Sequence, residues 1–295
     1  MSRTGLLPPD AGPPDADHPD HPGTGHLAHP ADPARTGPRR RDARARARTG
    51  GALATAVGVV GELLITAGVL LGLFVVWQLW WTDVVAARAQ ADVVRELDWV
   101  QAVPDAGTGA APEPSPDPEP EDPRRHDPAP VLPEPAHATT FATLLVPRWG
   151  PDYLALVSQG TSRRDVLDVL GVGHYEGTAM PGGLGNFAVA GHRVTYGKPF
   201  NRIEELQVGD PLVVQTEAAW YVYRVTGAEV VAPRDVDVIL PVPRQPSATP
   251  TTAMMTLTTC HPMYSARERY VVHAELDYWM DVADGVPEEL TGGGA

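Results

Sequence analysis

Apolar residues follow two different rhythms along this chain. From Leu63 to Trp81 they run almost unbroken, nineteen positions in which Thr66 and Gln78 are the only polar side chains. At about 1.5 Å per residue, a helix of this length reaches about 28 Å, close to the hydrocarbon thickness of a bilayer. Trp77, Trp80 and Trp81 gather at its C-terminal end, where aromatic side chains settle at a membrane interface, and Glu62 marks the other boundary. The pattern predicts a single N-terminal transmembrane helix within residues 51–82. Just beyond it, apolar residues at 84, 85, 93, 94 and 97 predict a short amphipathic helix leading out of the membrane.

After residue 139 the rhythm becomes short β-type runs: FATLLV (141–146), YLALV (153–157), NFAVAGH (186–192), PLVVQT (211–216), WYVYRVTGAEVV (220–231), AMMTLTTC (253–260) and RYVVHAEL (269–276). They are rich in Val, Tyr, Thr and Leu and are separated by Gly, Pro and Asp. Two helical pieces are predicted among them, one from Thr161 or Ser162 to Gly171 and a brief one near Phe200–Leu206. Seven or eight strands in about 145 residues predict a mainly β domain that closes into a barrel, which removes edge strands.

Composition changes the picture between these blocks. Much of the chain's proline lies in 8–38 and 104–135, polar segments with too little apolar surface to offset their ordering entropy. The expected organisation is a disordered tail over 1–50, the anchor over 51–82, and a helix followed by a Pro/acidic stalk over 83–138. A barrel of ordinary single-domain size then occupies 139–285, with a C-terminal tail over 286–295. Seven arginines against one acid between Arg35 and Arg48 precede the span. That bias places the N-terminus in the cytoplasm and everything after residue 82 outside the cell membrane. A cleaved signal peptide fits poorly, because the apolar stretch is long, starts late and lacks a small-residue cleavage site. A formal charge of −14 argues against nucleic acid as a partner. His18, His21, His26 and His29 are irregularly spaced in the polar tail, and no acidic cluster elsewhere has calcium-site spacing, so neither metal nor cofactor is expected.

Cys260 is the chain's one cysteine, so it is either an inert thiol or a reactive one. It ends the run MMTLTTC, and Pro262 stops a ladder there, which leaves the thiol at a strand end beside a loop. A nucleophilic thiol needs a proton partner. Outside the tail and stalk the candidates are His174, His192, His261 and His273. His261 adjoins Cys260, but adjacent side chains in extended chain point apart. His192 closes the run NFAVAGH and shares the strand-end placement of Cys260. Arg269 opens a strand nine residues after Cys260 and faces it if the two flank one hairpin loop; Arg267 is the competing cation, and either arginine also fits a solvated loop.

The segment Thr256-Leu257-Thr258-Thr259-Cys260 with Arg269 following resembles the sortase signature, and the upstream His192 completes that family's His-Cys-Arg set. GHRVTYGKPF (191–200) and TTCHPMYSARERYVVH (258–273) resemble class E sortases of actinobacteria. The resemblance implies a closed sortase-type eight-stranded β-barrel and a cysteine transpeptidase acting at the cell wall. It makes Cys260 the nucleophile, His192 the acid/base and Arg269 the oxyanion stabiliser. Tyr196, Thr258 and Thr259 are the implied substrate-binding residues, and Tyr196 stands where class A enzymes carry a glutamate. The implied substrates are surface proteins with a C-terminal Leu-Ala-x-Thr-Gly or Leu-Pro-x-Thr-Gly sorting signal, and the implied acceptor is an amine on lipid II or a cell-wall peptide. A pilin-polymerising sortase is the alternative acceptor reading. The Pro-rich loop 232–252 occupies the place of the family's substrate-framing loop, where Val238, Ile239 and Leu240 either cup the signal or close the barrel end. Two other readings are weaker. An L,D-transpeptidase carries Ser-His-Gly before its cysteine where Thr258-Thr259 stand here. A non-catalytic, membrane-tethered β-barrel binding module would leave Cys260 structural.

Overall fold

The structure, a computed structural model, describes residues 39–100 and 122–291. The expected tail before Arg39, the stalk over 101–121 and residues 292–295 lie outside the described residues. The chain has two units, Met1–Ile65 and Thr66–Ala295.

One helix, α1 (Arg39–Glu96), carries the apolar span. It starts before the composition change at Gly51 and runs on without a break through the region read as a separate amphipathic helix. Its apolar window has a mean hydropathy of 2.4, and none of it is buried against protein. A stripe this long and this exposed is covered by lipid in a bilayer and by nothing in water.

The eight strands are β1 (Thr140–Leu145), β2 (Leu154–Gln159), β3 (Val172–His174), β4 (Gly185–Gly191), β5 (Pro211–Gln215), β6 (Ala219–Val231), β7 (Ala253–His261) and β8 (Glu268–Asp281). They close in the order β1-β2-β3-β4-β7-β8-β6-β5. Alternation decides what lies inside. Phe187 and Val189 of β4, Met255 and Leu257 of β7, and Val272 and Ala274 of β8 all enter the core with Leu144, Leu212, Tyr221 and Tyr223. The residues between them face outward, and the site is built on that outer face.

Seven strands coincide with the runs read from sequence. The eighth, β3, has three residues, too few to show a period of two. The predicted 161–171 helix forms as a single wide turn over Arg163–Leu167, with Leu167 N–H donating to the Ser162 carbonyl at 3.0 Å. Ser162 Oγ bonds the Asp165 carboxylate at 3.1 Å and caps no backbone N–H, so nothing at this end holds a longer helix. The Phe200–Leu206 piece is one turn, Ile203–Glu205.

The segments flanking the barrel are packed on it. Arg125 pairs with Trp279, whose Nε1 donates to the Asp127 carbonyl at 3.0 Å, and Tyr221 OH donates to the Pro130 carbonyl at 2.7 Å. The described part of the stalk, 122–138, is therefore a strap on the barrel wall. Beside this strap, where Arg124 pairs with Glu288 at 3.2 Å, Glu289 is buried and accepts a 2.5 Å bond from Tyr278 OH while pairing with Arg224.

Candidate active site

Strand register brings the three expected residues into one row. β4 and β7 run parallel, and their last pair is Ala190↔Thr258. His192, just past the end of β4, and Cys260 of β7 each lie two residues beyond that pair, and both line the same cleft. On the other side of β7, antiparallel β8 sets Cys260 directly opposite Arg269. Residues paired across antiparallel strands present their side chains on the same face. The thiol is thus flanked by an imidazole on one side and a guanidinium on the other.

These residues line one cleft of about 620 Å³, together with Thr161, Arg163, Leu167 and Tyr175 on one flank and Tyr264, Ser265 and Ala266 on the other. Cys260 is partly exposed there. Nη1 of Arg269 donates to the carbonyls of Ala266 (3.0 Å) and Glu268 (2.9 Å). Those two bonds fix the guanidinium at the mouth of the β7–β8 loop.

His192 has a partner that sequence reasoning missed. Its Nε2 lies 2.6 Å from Oδ1 of Asp168, which follows the wide turn and also sits 3.7 Å from Arg163 Nε. With Nε2–H donating to the carboxylate, Nδ1 is the nitrogen left for proton transfer. Tyr196 packs its ring on the imidazole, with centroids 5.2 Å apart, and is not among the residues lining the cleft. Its backbone is left-handed, φ 54°, which folds the 195–198 turn back under His192.

Arg193 is a second residue that sequence reasoning missed. It is 2% exposed, donates from Nη1 to the Cys260 carbonyl at 3.4 Å and from Nε to the Asn201 carbonyl at 3.2 Å, and pairs with Glu204 at 2.8 Å. It cross-braces the ends of β4 and β7. Only its place next to His192 in Gly-His-Arg hinted at this, because a sequence does not show that an arginine is buried.

The threonines are committed to backbone. Thr258 Oγ1 contacts the Val189 carbonyl (3.3 Å) and Tyr175 OH (3.0 Å), and Thr259 Oγ1 donates to the Gly191 carbonyl at 2.7 Å. Both line the cleft. A hydroxyl has one proton, so Thr259 donates to an incoming oxygen only by giving up Gly191.

The remaining histidines are occupied elsewhere. His261 turns away from the cleft, with Nδ1 3.0 Å from Glu204 and its ring against Tyr270. His273 bridges Thr256 (2.9 Å) and Glu229 (3.1 Å). His174 is fully buried on Gln159 and Thr178, and burial pushes its pKa below the ordinary value. In loop 232–252, Val238 is buried with Val231 and Val271, Ile239 packs on them, and no residue of the loop lines the cleft. Of the two roles expected for these residues, the structure shows packing.

Substituting Asp168→Asn is expected to lower kcat about 10- to 100-fold with KM within about threefold, since it weakens the group orienting the His192 imidazole. Asp168→Glu should recover part of the loss. Steady-state kinetics on the three proteins checks this, and an unchanged kcat in Asp168→Asn would remove Asp168 from the mechanism.

The family model of the sortase domain matches residues 144–277. Sortase SrtE2 of Streptomyces coelicolor is 36% identical over 243 residues, which is 79% of this chain and 87% of that protein. Sortase SrtE1 of the same organism is 36% identical over 255 residues, 83% of this chain, and the match spans 64% of its own length. Among solved structures, the SrtA sortase from Actinomyces oris is 45% identical with a TM-score of 0.54, covering 56% of this chain and 95% of its own. With a relative matched along most of both chains, and with a Thr-Leu-Thr-Thr-Cys strand set between His192 and Arg269, this chain belongs to the sortase family of cysteine transpeptidases, in its class E branch.

Proposed function

We propose that this chain is a membrane-anchored sortase that joins surface proteins to a cell-wall amine, with Cys260, His192 and Arg269 as its catalytic residues. The observation carrying the reading is the row His192, Cys260, Arg269 across β4, β7 and β8. α1 holds the enzyme in the membrane, N-terminus cytoplasmic and barrel outside, in keeping with the arginines that precede the span.

The chemistry follows from that row. Nδ1 of His192 takes the Cys260 proton, and the sulfur attacks the carbonyl carbon of the signal's threonine. The C–O π pair moves onto oxygen, where the Arg269 guanidinium stabilises the oxyanion. As the oxyanion collapses, the Thr–Gly C–N bond breaks and His192 protonates the departing glycine amine. The thioester that remains is attacked by an acceptor amine, whose proton passes to His192; Cys260 leaves as the thiolate and takes that proton back from His192, which restores both groups. Asp168 stabilises the imidazolium at both stages. Leu167, Ala190 and Val194 give the cleft an apolar wall suited to the leucine and alanine of a Leu-Ala-x-Thr-Gly signal.

The test uses the full chain in detergent with fluorogenic Leu-Ala-x-Thr-Gly and Leu-Pro-x-Thr-Gly peptides and a peptidoglycan-stem amine. Cleavage of the alanine peptide faster than the proline peptide, with amide product formed in proportion to the amine, is the expected result. Failure to cleave either peptide would overturn the substrate class. Cleavage without amide product would overturn the acceptor.

A further inference from the structure

From the docking of α1 on the barrel, we infer that the catalytic end of the barrel faces the membrane, with the cleft opening at the level of the lipid headgroups. The inference rests on the reading of α1 as a membrane anchor.

Two contacts fix the direction of the helix along the barrel. Asp83 is two residues beyond Trp81, about 3 Å further along the axis from the aromatic belt. Its carboxylate accepts the Gly197 N–H at 3.1 Å and pairs with Lys198 Nζ at 2.8 Å. Gly197 and Lys198 belong to the turn that leaves His192, at the catalytic end. One turn further on, Ala86 is 1% exposed. Gln90 reaches both Gly197 and Gly171, so that a Cβ at either glycine would stand 3.2 Å from its Nε2. Past the end of the helix, the Trp99 carbonyl accepts from Gln215 Nε2 at 3.0 Å. Gln215 ends β5 and pairs with Trp220 near the start of β6, at the end of the barrel away from Cys260. From Asp83 to Glu96 the helix rises about 20 Å. It therefore climbs the barrel wall from the catalytic end to the far end, and the membrane lies on the catalytic side.

Exposed apolar side chains point the same way. Among the described residues outside α1, the large exposed ones are Val131 and Leu184 at the far end, Val236 in the loop that runs between the two ends, and Val169, Val208, Val230, Met263 and Tyr264 at or near the catalytic end. Tyr264 is 79% exposed and Val208 74%. Loops tipped with such residues suit an interface where one side of each side chain meets lipid. In this geometry an acceptor reaches the thioester most directly when it is itself carried on a lipid, and a sorting signal when it is still close to the bilayer.

The orientation is measured on the full chain with Cys260→Ala, which leaves no native cysteine. Tyr264→Cys and Val208→Cys report the catalytic end; Glu217→Cys and Leu184→Cys report the far end. Each is labelled with a fluorophore and reconstituted in phosphatidylglycerol/phosphatidylethanolamine vesicles carrying a headgroup-attached nitroxide in both leaflets. Quenching at Tyr264→Cys and Val208→Cys is expected to exceed that at the far-end sites at least threefold. Adding Asp83→Ala and Lys198→Ala should shrink the difference. Equal quenching, or stronger quenching at the far end, in protein that stays with the vesicles after a carbonate wash would overturn the orientation alone. Release of the protein by that wash would overturn the anchor reading.

Discussion

Replacing Cys260 with alanine is expected to lower Leu-Ala-x-Thr-Gly cleavage by about four orders of magnitude or more, with the melting temperature nearly unchanged. The loss is large because nothing else in the cleft replaces the sulfur. The cleft's other hydroxyls are Thr161, Tyr175, Thr195, Thr258, Thr259, Tyr264 and Ser265. None occupies the outward place between the β4 imidazole and the β8 guanidinium. The fold is spared because Cys260 sits on the outer face at the end of β7, while Leu257 and Met255 fill the barrel. His192→Ala should cost a comparable factor, since the thiol then loses its proton acceptor and the glycine amine its donor. Alkylation provides a second measurement. A small methanethiosulfonate should label the native chain at Cys260 and abolish cleavage. A Cys260→Ala protein that kept more than about a tenth of the wild-type rate would return Cys260 to the inert-thiol reading and sink the mechanism.

The barrel was legible where the pattern had room to repeat. β6, β7 and β8 are long, rich in Val, Tyr, Thr and Leu, and bounded by Pro or charged residues, and they form where the runs predict. β3 escaped because three residues carry no rhythm, and its pairing with β2 and β4 is a tertiary fact. The turn at Arg163–Leu167 has helical composition and apolar spacing, but its N-terminal serine bonds a side chain and the next strand begins at Val172. The chain turns into the sheet before a second helical turn is complete.

The site divides along the same line. Cys260, His192 and Arg269 come together because each lies where a strand ends or opens, and register turns such places into neighbours; strand ends alone left His192 and Arg269 among competitors, and the sortase resemblance singled them out. Asp168 was unreadable because it reaches His192 across 24 residues from a turn whose shape the sequence mispredicts. Arg193 hid for a different reason. A buried arginine is rare, and its partners Glu204 and the Cys260 carbonyl come from separate segments. Tyr196 was noticed through resemblance, but its place against the imidazole, in a turn braced by Asp83, depends on a helix far away in the chain.

Arg269→Ala is expected to reduce kcat about 100- to 1000-fold while KM moves less than about threefold, the signature of a donor used mainly in the transition state. Nη1 is spent on the Ala266 and Glu268 carbonyls, and among the described residues Nε and Nη2 take no protein acceptor. The guanidinium is therefore held by one nitrogen, which leaves the N–H groups of Nε and Nη2 as donors for an oxyanion formed beside Cys260. Arg269→Lys should recover little, because one ammonium cannot bond both loop carbonyls and still reach the oxyanion with a fixed donor. Arg267 is exposed in the loop and does not line the cleft, so Arg267→Ala should stay within about twofold of wild type, as is usual for a solvated surface cation. Single-turnover thioester formation separates the cases, since loss of oxyanion stabilisation slows acylation itself. If Arg267→Ala showed the large loss and Arg269→Ala kept the wild-type acylation rate, the pairing of Cys260 with Arg269 across β7 and β8 would be structural, and the oxyanion's cation would come from the loop.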